Sequence, residues 1–88
     1  MNDKLIEDII NKSIAKFNLV SPKNLNIKDV KKFCLNKKFD SLSIINLTMA
    51  FEEEIQNKKI VNDLRKQNIN KIFKNYKTIK KFFKKYEA

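Results

Sequence analysis

Few side chains in this 88-residue sequence are equipped for chemistry. Ser41 stands between Asp40 and Leu42 at the head of a helix-period stretch. A hydroxyl there faces the loop side, beside the free amides and partial positive charge of a helix N-terminus, a setting that favours negative charge. Taken alone, the same serine reads better as a plain helix N-cap. Cys34 is the single cysteine. It cannot close an internal disulfide, and with no His to activate it, it reads as a small apolar core or loop residue. Glu7-Asp8 and Glu52-Glu53-Glu54 are carboxylate neighbours, but on amphipathic helices such groups are solvated rather than arranged for acid–base work. Lys77, Lys80, Lys81, Lys84 and Lys85 alternate with Tyr76, Phe82, Phe83 and Tyr86, a mixture that could contact phosphates and stack on bases.

What is missing narrows the chemistry further. The chain has no Gly, His or Trp and a single Pro. Without His there is no Ser-His or Cys-His pair and no His-containing zinc site. Without Gly there is no Walker loop and no dinucleotide fingerprint, because both need glycine for amides to approach phosphate. The length suits one domain, residues 1–88, with little room for a deep cleft beside a core. The expectation from these absences is a protein that is not an enzyme, and a monomer is expected. The lone cysteine gives no sign of an oxidising compartment. Asp3, Glu7 and Asp8 near the start, and apolar runs no longer than Met49-Ala50-Phe51, fit neither a signal peptide nor a membrane span, so a cytoplasmic protein is expected.

These residues must be positioned by helices. Leu5, Ile6, Ile9, Ile10, Ile14 and Phe17 have helical spacing, with Lys4, Glu7, Asp8, Asn11, Lys12 and Lys16 on the other face. Asn2 or Asp3 can cap the start and Asn18 can end this helix, Asn being the best substitute for Gly in a left-handed terminus. The twelve asparagines are expected to supply the punctuation that glycine normally does. From Leu19 to Phe39 the periodicity weakens. Ser21-Pro22-Lys23-Asn24 signals a turn, and the spacing of Val30, Phe33 and Cys34 predicts a short helix near 28–35. Asp40-Ser41 opens a second helix to about Ile55. Its last turn carries three glutamates against the helix dipole, which points to a role in contacts. Leu47, Phe51 and Ile55 form an inward stripe, and Leu42, Ile45 and Met49 a second stripe rotated away from it. Further helices are expected near 61–74 and 77–86, with no strand-like alternation. The fold class is all-α, a small bundle of three main helices and one or two short ones.

The second helix is where residue types become specific. Phe39-Asp40-Ser41-Leu42, Ile45, Leu47, Met49-Ala50, Phe51, Glu52-Glu53-Glu54 and Ile55 resemble the phosphopantetheine attachment region of acyl carrier proteins. Downstream, Asn75-Tyr76-Lys77-Thr78-Ile79 followed by Phe82 and Phe83 resembles the entry to that family's last helix. The resemblance implies an acyl-carrier-like helical bundle and a phosphoprotein whose Ser41 receives 4'-phosphopantetheine from coenzyme A through a phosphopantetheinyl transferase. The arm's thiol would hold an acyl or aminoacyl thioester for a loading enzyme and an acceptor transferase or synthase. Asp40 and Leu42 would guide the transferase, Leu42, Ile45 and Met49 would dock partner enzymes, and Glu52 and Glu53 would add acidic contacts. Lys38 stands where the family commonly has Gly. Ser43 and Asn46 replace carboxylates of the acidic fatty-acid carriers, and the segment between Ile60 and Thr78 is long. These departures imply a specialised, stand-alone carrier in a biosynthetic pathway with its own enzymes.

The charge competes with this reading. Residues 56–88 hold eleven basic and two acidic groups, so +9 of the net +10 lies in the last third. The alternative is a small nucleic-acid-binding bundle using residues 58–85. Against it, Tyr76, Ile79, Phe82, Phe83 and Tyr86 fall on one helical side and the lysines largely on the other. That pattern is expected of a core stripe under a solvated face. A third possibility is an adaptor that uses the Leu42/Ile45/Met49 stripe without a prosthetic group.

Overall fold

The computed structural model describes residues 2–20, 29–34 and 40–86. Among these residues five α-helices and one 3₁₀ turn follow one another: α1 (Asp3–Val20), the turn (Val30–Lys32), α2 (Ser41–Ile55), α3 (Lys58–Lys66), α4 (Ile69–Ile72) and α5 (Tyr76–Phe83). Among the described residues there is no strand, only an isolated bridge between Cys34 and Asn75. The chain is an all-α bundle.

Helix α1 starts where Asn2 accepts the Leu5 amide at 2.8 Å. It buries Ile6, Ile9, Ile10, Ile14 and Phe17 and leaves Leu5 outside. It passes Asn18 and ends at Val20, two residues beyond the expected stop. Asparagine inside a helix costs only about 0.7 kcal/mol relative to alanine, and the sequence has no stronger breaker before Pro22. The expected turn at residues 21–24 lies outside the described residues.

The short helix expected near 28–35 is a single 3₁₀ turn, opened by Asp29 accepting the Lys31 amide at 3.0 Å. Val30 and Phe33 enter the core, whereas Cys34 is exposed. Of the two readings offered for that cysteine, the loop one holds. The Tyr76 amide donates to the Phe33 carbonyl at 3.0 Å and fastens this segment to the start of α5.

Asparagine punctuates the second half of the chain. Asn57 accepts the amides of Lys59 and Ile60, so α3 begins at Lys58 rather than 61. Asn68 accepts the Asn70 amide at 3.1 Å and restarts the chain as the four-residue α4. The single helix expected over 61–74 is therefore two. Asn75 and Thr78 form a reciprocal capping box, and α5 runs Tyr76–Phe83, short of the expected 86. Among the described residues, however, the left-handed position is filled by Gln56 at φ 52°, after the last turn of α2, and not by an asparagine.

The core centres on Phe51 of α2. Its ring lies 4.8 Å from that of Phe73 and 6.3 Å from that of Phe83, the latter stacked at 16°. Phe82 meets Phe83 edge-on at 5.2 Å. Aromatic pairs of this kind add about 0.5–1.5 kcal/mol each beyond the area they bury. They bind α2 to the α4–α5 region, while α1 packs along α2 from the other side.

Candidate functional site

The head of α2 is built by Asp40. Its backbone is extended (φ −78°, ψ 172°), its carboxylate accepts the Ser43 amide at 2.8 Å, and its carbonyl accepts the Ile44 amide at 3.1 Å. Asp40 is thus the N-cap and Ser41 the first helical residue. The serine is released from the capping role that its type would suit. Ser41 is exposed, and its hydroxyl makes no hydrogen bond among the described residues. The Ser41 and Leu42 amides, orphan donors of the first turn, have no acceptor there either. Ser43, two residues on, is buried, so only one serine of the Ser41-Leu42-Ser43 run is open to solvent.

Below this head, α2 has two apolar faces with different fates. Leu47, Ala50 and Phe51 are buried, and Ile55 packs partly against the core. Leu42, Ile45 and Met49 are 66%, 49% and 55% exposed. A helix rises 1.5 Å and turns 100° per residue, so Ile45 lies about 40° round from Ser41 and the exposed stripe descends about 12 Å to Met49. Burial of α2 on two sides, the plain explanation for its extra apolar residues, does not occur.

Met49 also lines a groove that sequence reasoning missed. It lies between α1 and α2, has a volume of about 410 Å³, and is formed by Lys16, Leu19, Val20, Asn46, Met49, Ala50 and Glu53. Ending α1 at Asn18 removed Leu19 and Val20 from view. The clue lay in Val20, three residues after Phe17 and still on the apolar side of the helix.

The three glutamates are held by this chain's own cations. Glu52 accepts two hydrogen bonds from Arg65, at 3.3 Å from Nε and 3.1 Å from the guanidinium end, and its side chain is 17% exposed. Glu53 and Glu54 receive the Lys16 ammonium at 3.4 and 2.8 Å. The Glu54 hydrogen bond raises the Lys16 pKa above the ordinary lysine value, and Glu52 does the same for Arg65. Within the molecule this acidic run ties α2 to α1 and α3. Of the two glutamates read as docking contacts, Glu53 is the one whose side chain remains mostly in solvent.

In the basic third, Tyr76, Ile79, Phe82 and Phe83 are buried, while Lys77, Lys81, Lys84 and Lys85 are exposed and Lys80 is half-buried. Lys80 and Lys84 reach back to Asp3 at 3.2 and 2.6 Å and hold its carboxyl below the ordinary aspartate range. The Tyr86 hydroxyl donates to Asp63 at 2.6 Å, closing α3 against the chain end. Burial, with Asp63 beside it, pushes the Tyr86 phenol up to about 12. Among the described residues no cluster could hold a metal ion, and no helix is long and apolar enough to cross a membrane.

No family model, curated protein or solved structure matches this chain.

Proposed function

We propose that this chain is an acyl or aminoacyl carrier protein that bears its cargo on a 4'-phosphopantetheine arm at Ser41 and delivers it to the enzymes of a specialised biosynthetic pathway. The observation that carries the reading is the state of Ser41. Its hydroxyl is exposed at the first position of α2 and has no structural task, because Asp40 does the capping. The resemblance of residues 39–55 to the carrier attachment region supplies the particular group.

The residues present suit a phosphodiester. The Ser41 and Leu42 amides have no acceptor among the described residues, the positive end of a fifteen-residue helix lies at the same place, and the neighbouring Asp40 carboxylate is engaged by the Ser43 amide. When bound, the arm supplies a thiol on which cargo is held as a thioester. The chain's own residues do the rest: Asp40 sets the helix start, Ser41 offers the attachment oxygen, and Leu42, Ile45 and Met49 present an apolar surface to whichever enzyme is loading or unloading. Glu53 adds an accessible carboxylate at the far end of that surface.

The nucleic-acid reading gains no such support. The aromatic rings that would stack on bases, Tyr76, Phe82 and Phe83, lie in the core. Transfer of a phosphopantetheinyl group from coenzyme A by a broad-specificity transferase, followed by intact mass, tests the proposal. The mass of wild-type protein must rise by one such group, and that of Ser41→Ala must not.

A further inference from the structure

Most carboxylates of the described chain are engaged with groups other than Lys71, Lys81 and Lys85. Asp3 holds Lys80 and Lys84, Glu52 holds Arg65, Glu53 and Glu54 hold Lys16, and Asp63 accepts from Tyr86. Asp29 and Asp40 cap helical starts. Lys71 of α4 and Lys81 of α5 have no ion-pair partner among the described residues, and Lys85 just beyond α5 rests its ammonium 5.8 Å over the Phe82 ring. These three lysines converge on one cleft of about 170 Å³ with Ile72 and Phe82 in its lining and Gln67 at its edge. Lys77, Lys81 and Lys85 follow at four-residue intervals, a like-charge spacing that works against a helix. Among the described residues no carboxylate pairs with Lys77, Lys81 or Lys85.

We propose that this cleft is a docking site for an acidic segment of a partner protein, in which carboxylates flank an apolar side chain. The apolar side chain meets Ile72 and Phe82, and the carboxylates meet Lys71, Lys81 and Lys85. The cleft's small volume and buried rings favour that occupant over nucleic acid. Single strands are bound by stacking on exposed aromatics, and the duplex is read by elements that project into its grooves rather than by a hollow. An anionic membrane is disfavoured because the apolar face of α5 is already in the core, leaving nothing to insert. The inference stands apart from the carrier reading, since it requires nothing on Ser41.

The test measures binding of the full chain to a short labelled peptide with Glu on both sides of one Phe. A DNA oligonucleotide, single- or double-stranded, and phosphatidylglycerol vesicles serve as competitors. Replacing Lys71, Lys81 and Lys85 together by Gln is expected to weaken the peptide by about tenfold, as three modest charge contacts would. Replacing Lys58, Lys59 and Lys66 by Gln removes the same charge elsewhere and is expected to change it by less than about twofold. Circular dichroism of both variants establishes that they remain helical. Equal weakening by the two triple variants overturns the proposal, because it reduces the effect to net charge. Tighter binding of DNA or vesicles, lost with the cleft lysines, overturns the assigned partner.

Discussion

Asp40 accepts the Ser43 amide at 2.8 Å, and in doing so takes the capping role that would otherwise fall to Ser41. The two neighbours should therefore respond differently to truncation. Asp40→Ala is expected to cost about 1 kcal/mol, the usual loss for an N-cap, with Asp40→Asn close to neutral. Ser41→Ala should stay within about 0.5 kcal/mol of wild type, as an exposed residue without partners does. Urea unfolding of the three variants checks this. A loss at Ser41 as large as that at Asp40 would make the serine structural.

The two faces of α2 should differ just as sharply. Phe51 is fully buried between Phe73 and Phe83, so Phe51→Ala is expected to cost about 3–5 kcal/mol, enough to threaten a domain of this size. Single alanine substitutions at Leu42, Ile45 or Met49 remove side chains that lie half or more in water, and each should cost under about 1 kcal/mol in thermal or urea melts. A large loss at Met49 would mean that the outer stripe is packed rather than presented.

Glu52 and Arg65 join α2 to α3 through two hydrogen bonds, but the guanidinium is largely in solvent. A double-mutant cycle with Glu52→Gln and Arg65→Gln is expected to give a coupling of at most about 1 kcal/mol, falling as salt is raised. Coupling that persists in high salt would show the pair to be shielded from water.

Tyr86 links stability to alkaline pH. Its phenol is raised from 10.0 to about 12 in the fold, so the native state keeps a proton that the unfolded chain loses. The stabilisation is whole below pH 10 and is lost as pH rises through the interval up to 12. Chemical denaturation across that interval should show stability falling more steeply in wild type than in Tyr86→Phe. Parallel slopes would contradict the burial of the Tyr86 phenol beside Asp63.

The helices were legible wherever apolar spacing and a cap agreed. Ile6, Ile10, Ile14 and Phe17 mark α1, and Asp40 with Leu47 and Phe51 marks α2, because burial and local propensity point the same way there. Boundaries failed where a side chain acts on its neighbours' backbone: Asn57 draws α3 back to Lys58 by accepting two amides, whereas the break at Asn68 follows the punctuation expected of the asparagines, its position within 61–74 being set by the Asn70 amide it accepts. The separation of exposed Leu42, Ile45 and Met49 from buried Leu47 and Phe51 was readable from rotation about one helix. The pairing of Glu52 with Arg65, thirteen residues apart, was not, since it depends on how α3 folds back on α2.

The central claim is that Ser41 is an attachment point. Purified chain incubated with coenzyme A and a broad-specificity phosphopantetheinyl transferase, then mapped by intact mass and by fragmentation of the peptide spanning Asp40 to Glu54, tests it most directly. The account predicts one added phosphopantetheinyl group, located on Ser41, absent from Ser41→Ala and retained in Ser43→Ala. No added mass in wild type, or an equal gain in Ser41→Ala, would contradict it.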